Sequence, residues 1–84
     1  NAYTLSDGEY ELIEAEIIET SELINKEIKN SNLPDELRIG AVLRDKKIII
    51  PRSNFVFKKD DRVVFIVKKD SISFVENIFR LSSV

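Results

Sequence analysis

The sequence contains no cysteine, histidine, methionine or tryptophan, and its 84 residues include only two glycines and two prolines. The absence of cysteine excludes disulfides and thiolate chemistry and is compatible with a reducing cytosol. Without histidine, acid–base catalysis at neutral pH would depend on aspartate, glutamate or lysine alone. No convergent pair of carboxylates can be placed in the sequence, so we expect a protein that is not an enzyme.

The signals of nucleic-acid binding, membrane insertion and phosphate binding are also absent. The 13 basic and 15 acidic residues give a net charge of −2, so no basic footprint for DNA or RNA is expected. The longest apolar runs, 48–50 and 63–67, are far shorter than the roughly 20 residues that cross a bilayer. No glycine-rich phosphate loop and no calcium-type loop occurs, so we expect neither a nucleotide fingerprint nor a metal site here.

The composition that remains is that of one small folded domain. Hydrophobic residues make up 43% and charged residues 33% of the chain. Residues 1–10 are predicted to be a linker, in which Asn1-Ala2 resembles the remnant of a cleaved expression tag. Residues 11–84 are predicted to form the domain. A domain of this size has a thin core, so partner contacts would contribute to its working stability.

Alternating apolar residues predict the strands. In the segment 11–18, Ile13, Ala15 and Ile17 would share one face. The segment 62–67 is the most continuous apolar run, which favours a central position in the sheet. Residues 55–57 form a further short extended piece.

A hairpin is predicted between these strands. Along 38–44, Ile39, Ala41 and Leu43 alternate with the opposite face. Asp45-Lys46 would be a two-residue turn into a return strand over 47–50. Pro51 ends that strand because proline cannot donate to the ladder. The opposite face of the first strand would be formed by Gly40, Val42 and Arg44.

Two helices are predicted. The first would cover 20–31, starting at the capping residues Thr20 and Ser21. The second would begin after Asp70 or Ser71 and carry two apolar stripes. The stripes consist of Ile72, Val75 and Phe79, and of Phe74, Ile78 and Leu81. One stripe suffices to pack on a sheet, so the second is predicted to contact a partner.

The order of elements is β-α-β-β-(β)-β-α. Hairpins dominate this order, and strands outnumber helices. It predicts an α+β fold, with a mostly antiparallel sheet of four to five strands and two helices packed on one face.

Several segments, in order, resemble the TrkA C-terminal domain family, the C-terminal subdomain of regulators of potassium conductance. The resemblance extends from Glu11 to Leu81 and is greatest to the Trk potassium-uptake regulatory subunit. Asn25 and Asp60 stand where the family has glycine, and both residue types tolerate the left-handed region. The matching segments are 21–28 with Leu33-Pro34, the strand 39–45 ending in Arg-Asp, the return strand 48–51, the turn 60–63 and the closing helix 75–79.

The resemblance implies a regulatory, dimerising and ligand-sensing domain of a bacterial potassium-uptake protein. Such a domain is cytoplasmic, lies at the inner membrane through a transporter subunit, and forms homodimers without inserting into the membrane. It holds no cofactor of its own, and NAD or ATP is expected in a preceding Rossmann-type domain. Some relatives bind cyclic di-AMP at the dimer interface, which makes this dinucleotide a candidate ligand.

The resemblance also places the candidate contacts. Arg38, Ile39, Pro51 and Arg52 occupy the region that corresponds to the ligand site of those relatives. The simpler alternative is that the two arginines are exposed charges and Pro51 only ends a strand. Phe74, Ile78 and Leu81 are the candidate dimer or partner contacts.

Three other functions stay open from the sequence. The domain could be purely structural, without a ligand. It could serve another cation or anion transporter, such as a cation/proton antiporter, and an enzyme is the weakest alternative.

Overall fold

The computed structural model describes residues 2–5 and 8–79. Its centre is a five-stranded sheet with the spatial order β1-β2-β5-β3-β4, in which all neighbours are antiparallel. In the described residues one α-helix, α1 (Ile72–Phe79), follows a 3-10 helix over Lys69–Ser71. The predicted α+β class is therefore confirmed. The strands are β1 (Ala2–Leu5), β2 (Tyr10–Glu16), β3 (Leu37–Arg44), β4 (Lys47–Ile49) and β5 (Arg62–Lys68).

Strand β5 is central, as its apolar run predicts. It pairs with β2 over its whole length and with β3 over most of it. Val63, Phe65 and Val67 are fully buried, and their side chains define the inner face of the sheet.

The core lies between this inner face and α1. Strand β2 and the residue after it contribute three buried side chains, Ile13, Ala15 and Ile17. Their burial confirms the predicted common face. From α1, Val75 and Phe79 are fully buried. The Phe79 ring stacks on Phe65 with centroids 4.8 Å apart and meets Phe57 edge-on at 6.5 Å.

The helix predicted over 20–31 does not form, and this prediction was wrong. The backbone N–H groups of Asn25 and Ile28 donate to the carbonyls of Phe57 and Phe55, at 2.9 Å each, instead of closing helical turns. Asn25 has φ 67°, a left-handed conformation that interrupts a right-handed helix. Turns and a 3-10 helix over Ile28–Asn30 occupy the segment, so within residues 2–5 and 8–79 one α-helix rather than two packs on the inner face.

The short extended piece predicted over 55–57 lies outside the sheet. It meets residues 20–31, here called the turn segment, through a β-bridge between Glu27 and Val56. This contact and the backbone hydrogen bonds around it join the segments 25–29 and 53–57 into one layer beside the sheet.

The alternation predicted along β3 is broken by a bulge at Gly40. Ile39 pairs with Phe65 on the inner face, whereas Ala41 pairs with Val64 on the opposite face. The register shift between residues 39 and 41 places Val42, fully buried, on the inner face. The predicted common face of Ile39, Ala41 and Leu43 was therefore wrong.

Two further local features decide predictions made from the sequence. Asp45 and Lys46 have φ 51° and 65°, the conformation of a type I′ turn, which confirms the two-residue hairpin. Within residues 1–10, predicted to be a linker, Ala2–Leu5 form an edge strand paired with β2.

Candidate functional site

The described residues form a cleft of about 550 Å³, here called the loop cleft. Three chain segments line it: the 3-10 helix Ile28–Asn30 with the loop that follows, the start of β3, and the residues after β4. Its lining consists of Ile28, Lys29, Asn32, Leu33, Pro34, Asp35, Leu37, Arg38, Ile39, Pro51, Arg52 and Ser53.

Backbone constraints hold these segments together. The β3–β4 ladder ends at Ile49, and Pro51, which cannot donate a further ladder bond, follows just after it. The carbonyl of Ser53 then accepts a hydrogen bond of 2.9 Å from the backbone N–H of Lys29. Asn32, with φ 53°, turns the chain on the other side of the 3-10 helix. The mouth of the cleft is thus formed by loops whose ends are fixed by the sheet.

Positive charge dominates the rim of the loop cleft. It carries Lys29, Arg38 and Arg52, and one carboxylate, Asp35. Arg38 Nη1 donates to the backbone carbonyl of Leu37 at 2.8 Å and to that of Asp35, so its charge is held in place without being neutralised.

The other two cations are available to a ligand. The Lys29 side chain is 55% exposed, and its Nζ lies 3.9 Å from a Glu27 carboxylate oxygen, which is a weak surface pair. Arg52 is exposed and makes no ion pair with any residue in 2–5 or 8–79. A phosphate or carboxylate could replace the solvent around both side chains.

The walls of the loop cleft are partly apolar. Ile28, Leu33, Ile39 and Pro51 are each half-buried and line it. A small-molecule site typically combines such walls with a few polar groups that fix orientation. The arrangement suits an anion that also carries a flat or apolar part.

The structure brings all four predicted ligand contacts, Arg38, Ile39, Pro51 and Arg52, to this one cleft. Sequence reasoning missed Lys29, because its segment was interpreted as helix. The signal available was the polar run Asn30-Ser31-Asn32 after it, which disfavours a continuing helix.

The predicted partner contacts lie elsewhere. Phe74, 51% exposed, and half-buried Ile78 line a second groove of about 360 Å³ between α1 and the turn segment. Leu81 lies outside the described residues. Asn32 lines both the groove and the loop cleft, so the two sites adjoin.

A polar network that the sequence did not suggest lies between β3 and the segment 55–61. Arg44 Nε and Nη2 each donate to one Asp61 carboxylate oxygen at 2.7 Å, and Asp61 is 1% exposed. The guanidinium also lies 4.7 Å from the Phe55 ring centroid and donates to the Val56 carbonyl at 2.9 Å. Hydrogen bonding to Asp61 raises the pKa of Arg44 above its usual value, against the opposing effect of partial burial.

Comparison with known proteins places the chain in a family. The sequence model of the TrkA-C domain matches residues 12–80. The chain belongs to the TrkA-C domain family. It is 40% identical over 80 residues to the Trk system potassium uptake protein TrkA of Azorhizobium caulinodans, covering 95% of this chain and 18% of that protein. Identity to the Vibrio alginolyticus protein of the same name is 35% over 86 residues, covering 98% of this chain and 19% of that protein.

Solved structures share the fold of this TrkA-C domain. The RCK_C domain dimer of S. agalactiae BusR in complex with c-di-AMP superposes with a TM-score of 0.70 at 24% identity, covering 82% of this chain and 95% of that one. S. agalactiae BusR in complex with its busAB-promotor DNA gives a TM-score of 0.71 at 25% identity, covering 83% and 36%. The chain thus spans about a fifth of the length of its TrkA relatives and nearly all of an isolated RCK_C domain.

The described residues contain neither a membrane-spanning helix nor a metal-binding cluster. No helix among them combines the length and apolar character needed to cross a bilayer. No group of three or more acidic side chains in that part of the chain is arranged to hold a metal ion.

Proposed function

We propose that this TrkA-C domain is the regulatory, dimerising and ligand-sensing domain of a Trk-type potassium-uptake protein, and that the loop cleft receives the ligand. The observation that carries the proposal is the excess of three cations over one carboxylate on the rim of a partly apolar cleft. In the full-length protein the domain would pass ligand state to a membrane potassium transporter, and NAD or ATP would bind in a preceding domain.

The chemistry of the loop cleft favours a ligand with phosphate groups and a planar base. Arg52 and Lys29 are exposed, flexible cations that can approach separate anionic oxygens. Ile39 and Pro51 offer apolar surface against which a base can pack. A cyclic dinucleotide has both parts, and the BusR RCK_C domain dimer contains c-di-AMP. We therefore rank cyclic di-AMP first among candidate ligands.

The proposed dimer uses the exposed stripe of α1. Phe74 is half exposed although it lies on a helix whose other apolar residues are buried or half-buried. A second copy that covers Phe74 and Ile78 would remove this apolar surface from water, which is favourable by roughly 25 cal/mol per Å². The groove that these residues line adjoins the loop cleft through Asn32, so a dimer contact there can respond to the ligand.

Titration calorimetry tests the ligand. Cyclic di-AMP, ATP, NADH and inorganic phosphate are titrated separately into the wild-type domain. We expect saturable binding of cyclic di-AMP and weaker binding of phosphate alone. No heat with any of the four probes at millimolar concentration would refute the ligand-sensing part of the proposal.

The chain offers a matched pair of lysines as a control. Lys29 and Lys59 are 55% and 56% exposed, and each lies 3.9 Å from a carboxylate oxygen. Only Lys29 lines the loop cleft. We expect Lys29→Ala to weaken binding about 10-fold, and Lys59→Ala to leave it unchanged. Equal losses in both variants would indicate non-specific charge attraction.

Analytical ultracentrifugation tests the dimer. Phe74→Glu places a charge in the proposed contact, and Ile50→Glu, at a residue 75% exposed, is the matched control. We expect the Phe74 variant to reach a lower average mass than the Ile50 variant at the same concentration, because it loses the α1 contact. If only the Ile50 variant dissociates, the dimer contact lies at the sheet edge and not on α1.

A further inference from the structure

The face of the sheet opposite to α1, here called the outer face, is apolar. Strand register and alternation identify its members, because the buried residues Ile13 and Ala15 of β2 and Val63, Phe65 and Val67 of β5 mark the opposite, inner face. Among the residues that the structure describes, no element packs on this face. Its apolar side chains include Leu5, Tyr10, Leu12, Ile48, Val64 and Ile66.

Exposure of these side chains is unusual for a sheet that faces water. An antiparallel sheet with one solvated face normally has polar residues there, at every second position. The central strand instead carries Val64 and Ile66 at its two middle outward positions, and Ile66 is 43% exposed. Ile48, the outward residue of β4, is 72% exposed, and Leu5 and Tyr10 are 39% and 36% exposed. The pattern is that of a sheet covered on both faces.

The charges on the outer face favour a second copy over a highly charged partner. Arg62 Nε and Nη2 lie 2.7 and 2.6 Å from the Glu14 carboxylate, so this pair is neutralised internally. By register the face also carries Glu16, Arg38 and Lys68, which leaves charges of both signs at its rim. A surface for nucleic acid or an anionic membrane would be predominantly basic.

The size of the face fits a weak dimer. Five strands spaced about 4.8 Å apart, with seven residues in each of β2 and β5, give an area of roughly 400–500 Å². Two such faces in contact bury roughly 1,000 Å², the lower end of specific interfaces. Sheets pack face to face at about 10 Å with nearly aligned strands, an arrangement that two identical twisted sheets can adopt.

We propose that the outer face is a second self-association surface, on which another copy of the domain lays its own outer face to form a two-sheet sandwich. This contact does not use the α1 stripe, and among the residues named for the outer face only Arg38 also lines the loop cleft. A domain with both contacts assembles beyond a dimer, which can link the domains of neighbouring regulator subunits.

Sedimentation equilibrium of four proteins and one control variant separates the two contacts. They are the wild type, Ile66→Glu, Phe74→Glu and the double variant, with Thr20→Glu at an exposed turn as a charge control. We expect association beyond the dimer in the wild type, dimers in each single variant and a monomer in the double variant. Ile66→Glu should weaken the outer-face contact at least 10-fold, and circular dichroism should show an unchanged fold.

The outcomes for the two contacts are distinguishable. If Phe74→Glu alone is a monomer at millimolar concentration, the outer-face contact is refuted while the α1 dimer stands. If Ile66→Glu associates as the wild type does, the outer face is likewise excluded. If Phe74→Glu associates as the wild type does while Ile66→Glu is a monomer, the outer-face contact stands and the α1 dimer fails.

A mixed-label NMR experiment locates the contact directly. Because the chain has no cysteine, a nitroxide can be attached only at an engineered Glu16→Cys, on the rim of the outer face. Chains that carry the spin label but no ¹⁵N are mixed with ¹⁵N-labelled chains that carry no spin label. Both kinds of chain carry Phe74→Glu. We expect intermolecular broadening of amides in β3 and β5. Broadening confined to α1, or none at concentrations where the variant sediments as a dimer, would overturn the proposal.

Discussion

Arg44 and Asp61 form a two-point ion pair in which both N···O distances are 2.7 Å. The two residues lie 17 positions apart in the chain, one at the end of β3 and the other just before β5. The same Asp61 carboxylate accepts a hydrogen bond of 2.8 Å from the backbone N–H of Lys58, which closes the turn before β5. The pair therefore holds the end of one strand, the turn and the beginning of the next in a single arrangement.

Removing the charge of Asp61 tests how much this pair stabilises the fold. Asp61→Asn leaves the Arg44 guanidinium, which is 29% exposed, without its counter-ion in a largely buried place. We expect the free energy of unfolding to fall by about 2–3 kcal/mol in urea denaturation, somewhat less than for a fully buried pair.

The exposed pair Arg62–Glu14 is the control for that measurement. Its shortest N···O distance is 2.6 Å, but its side chains are 58% and 31% exposed. Glu14→Gln should therefore cost only about 0–1 kcal/mol, measured in dilute solution. Equal losses from Asp61→Asn and Glu14→Gln would show that burial does not strengthen the Arg44–Asp61 pair.

The hairpin turn between β3 and β4 offers a stabilising substitution. Lys46 has φ 65°, a conformation that costs an ordinary L-residue about 1 kcal/mol and glycine very little. Asp-Gly is a preferred type I′ sequence, so Lys46→Gly should raise the free energy of unfolding by about 0.5–1 kcal/mol. Lys47→Gly, one residue later in β4, should lower it. Thermal denaturation of the two variants checks the opposite signs.

Two phenylalanines of α1 separate core packing from surface contact. Phe79 is fully buried between Phe65 and Phe57, and Phe79→Ala should destabilise the domain by about 3–5 kcal/mol. Phe74 is 51% exposed, so Phe74→Ala should change the stability of the monomer by less than about 0.5 kcal/mol. A large loss from Phe74→Ala in dilute solution would mean that this residue supports the fold rather than a partner.

The strands could be predicted from the sequence where burial follows a simple alternation. The inward set Ile13, Ala15 and Ile17 and the central position of β5 are local consequences of apolar periodicity. The failures have non-local causes. The segment 20–31 has helix-compatible residues, but its N–H groups find carbonyls at 53–57, which no window of sequence reveals. At Gly40 a single extra residue moves all the following side chains of β3 to the other face.

The candidate site, like the fold, could be predicted from the sequence only in part. Arg38, Ile39, Pro51 and Arg52 were selected through resemblance to a family, and the fold brings them to one cleft. Lys29 belongs to the same rim but could not be selected, because its place depends on the backbone contact with Ser53. Arg44 and Asp61 both stand in segments that carry the resemblance, yet their pairing depends on the tertiary fold.

The central claim is that the loop cleft binds an anionic ligand, and a ¹⁵N NMR titration of the wild-type domain with cyclic di-AMP tests it most directly. We predict saturable shift changes that are largest at the backbone amides of Lys29, Arg38 and Ser53, which line the cleft, and small at Lys59 and in β1. Saturable shifts centred away from the loop cleft, or an unchanged spectrum at millimolar cyclic di-AMP, ATP and NADH, would contradict the account.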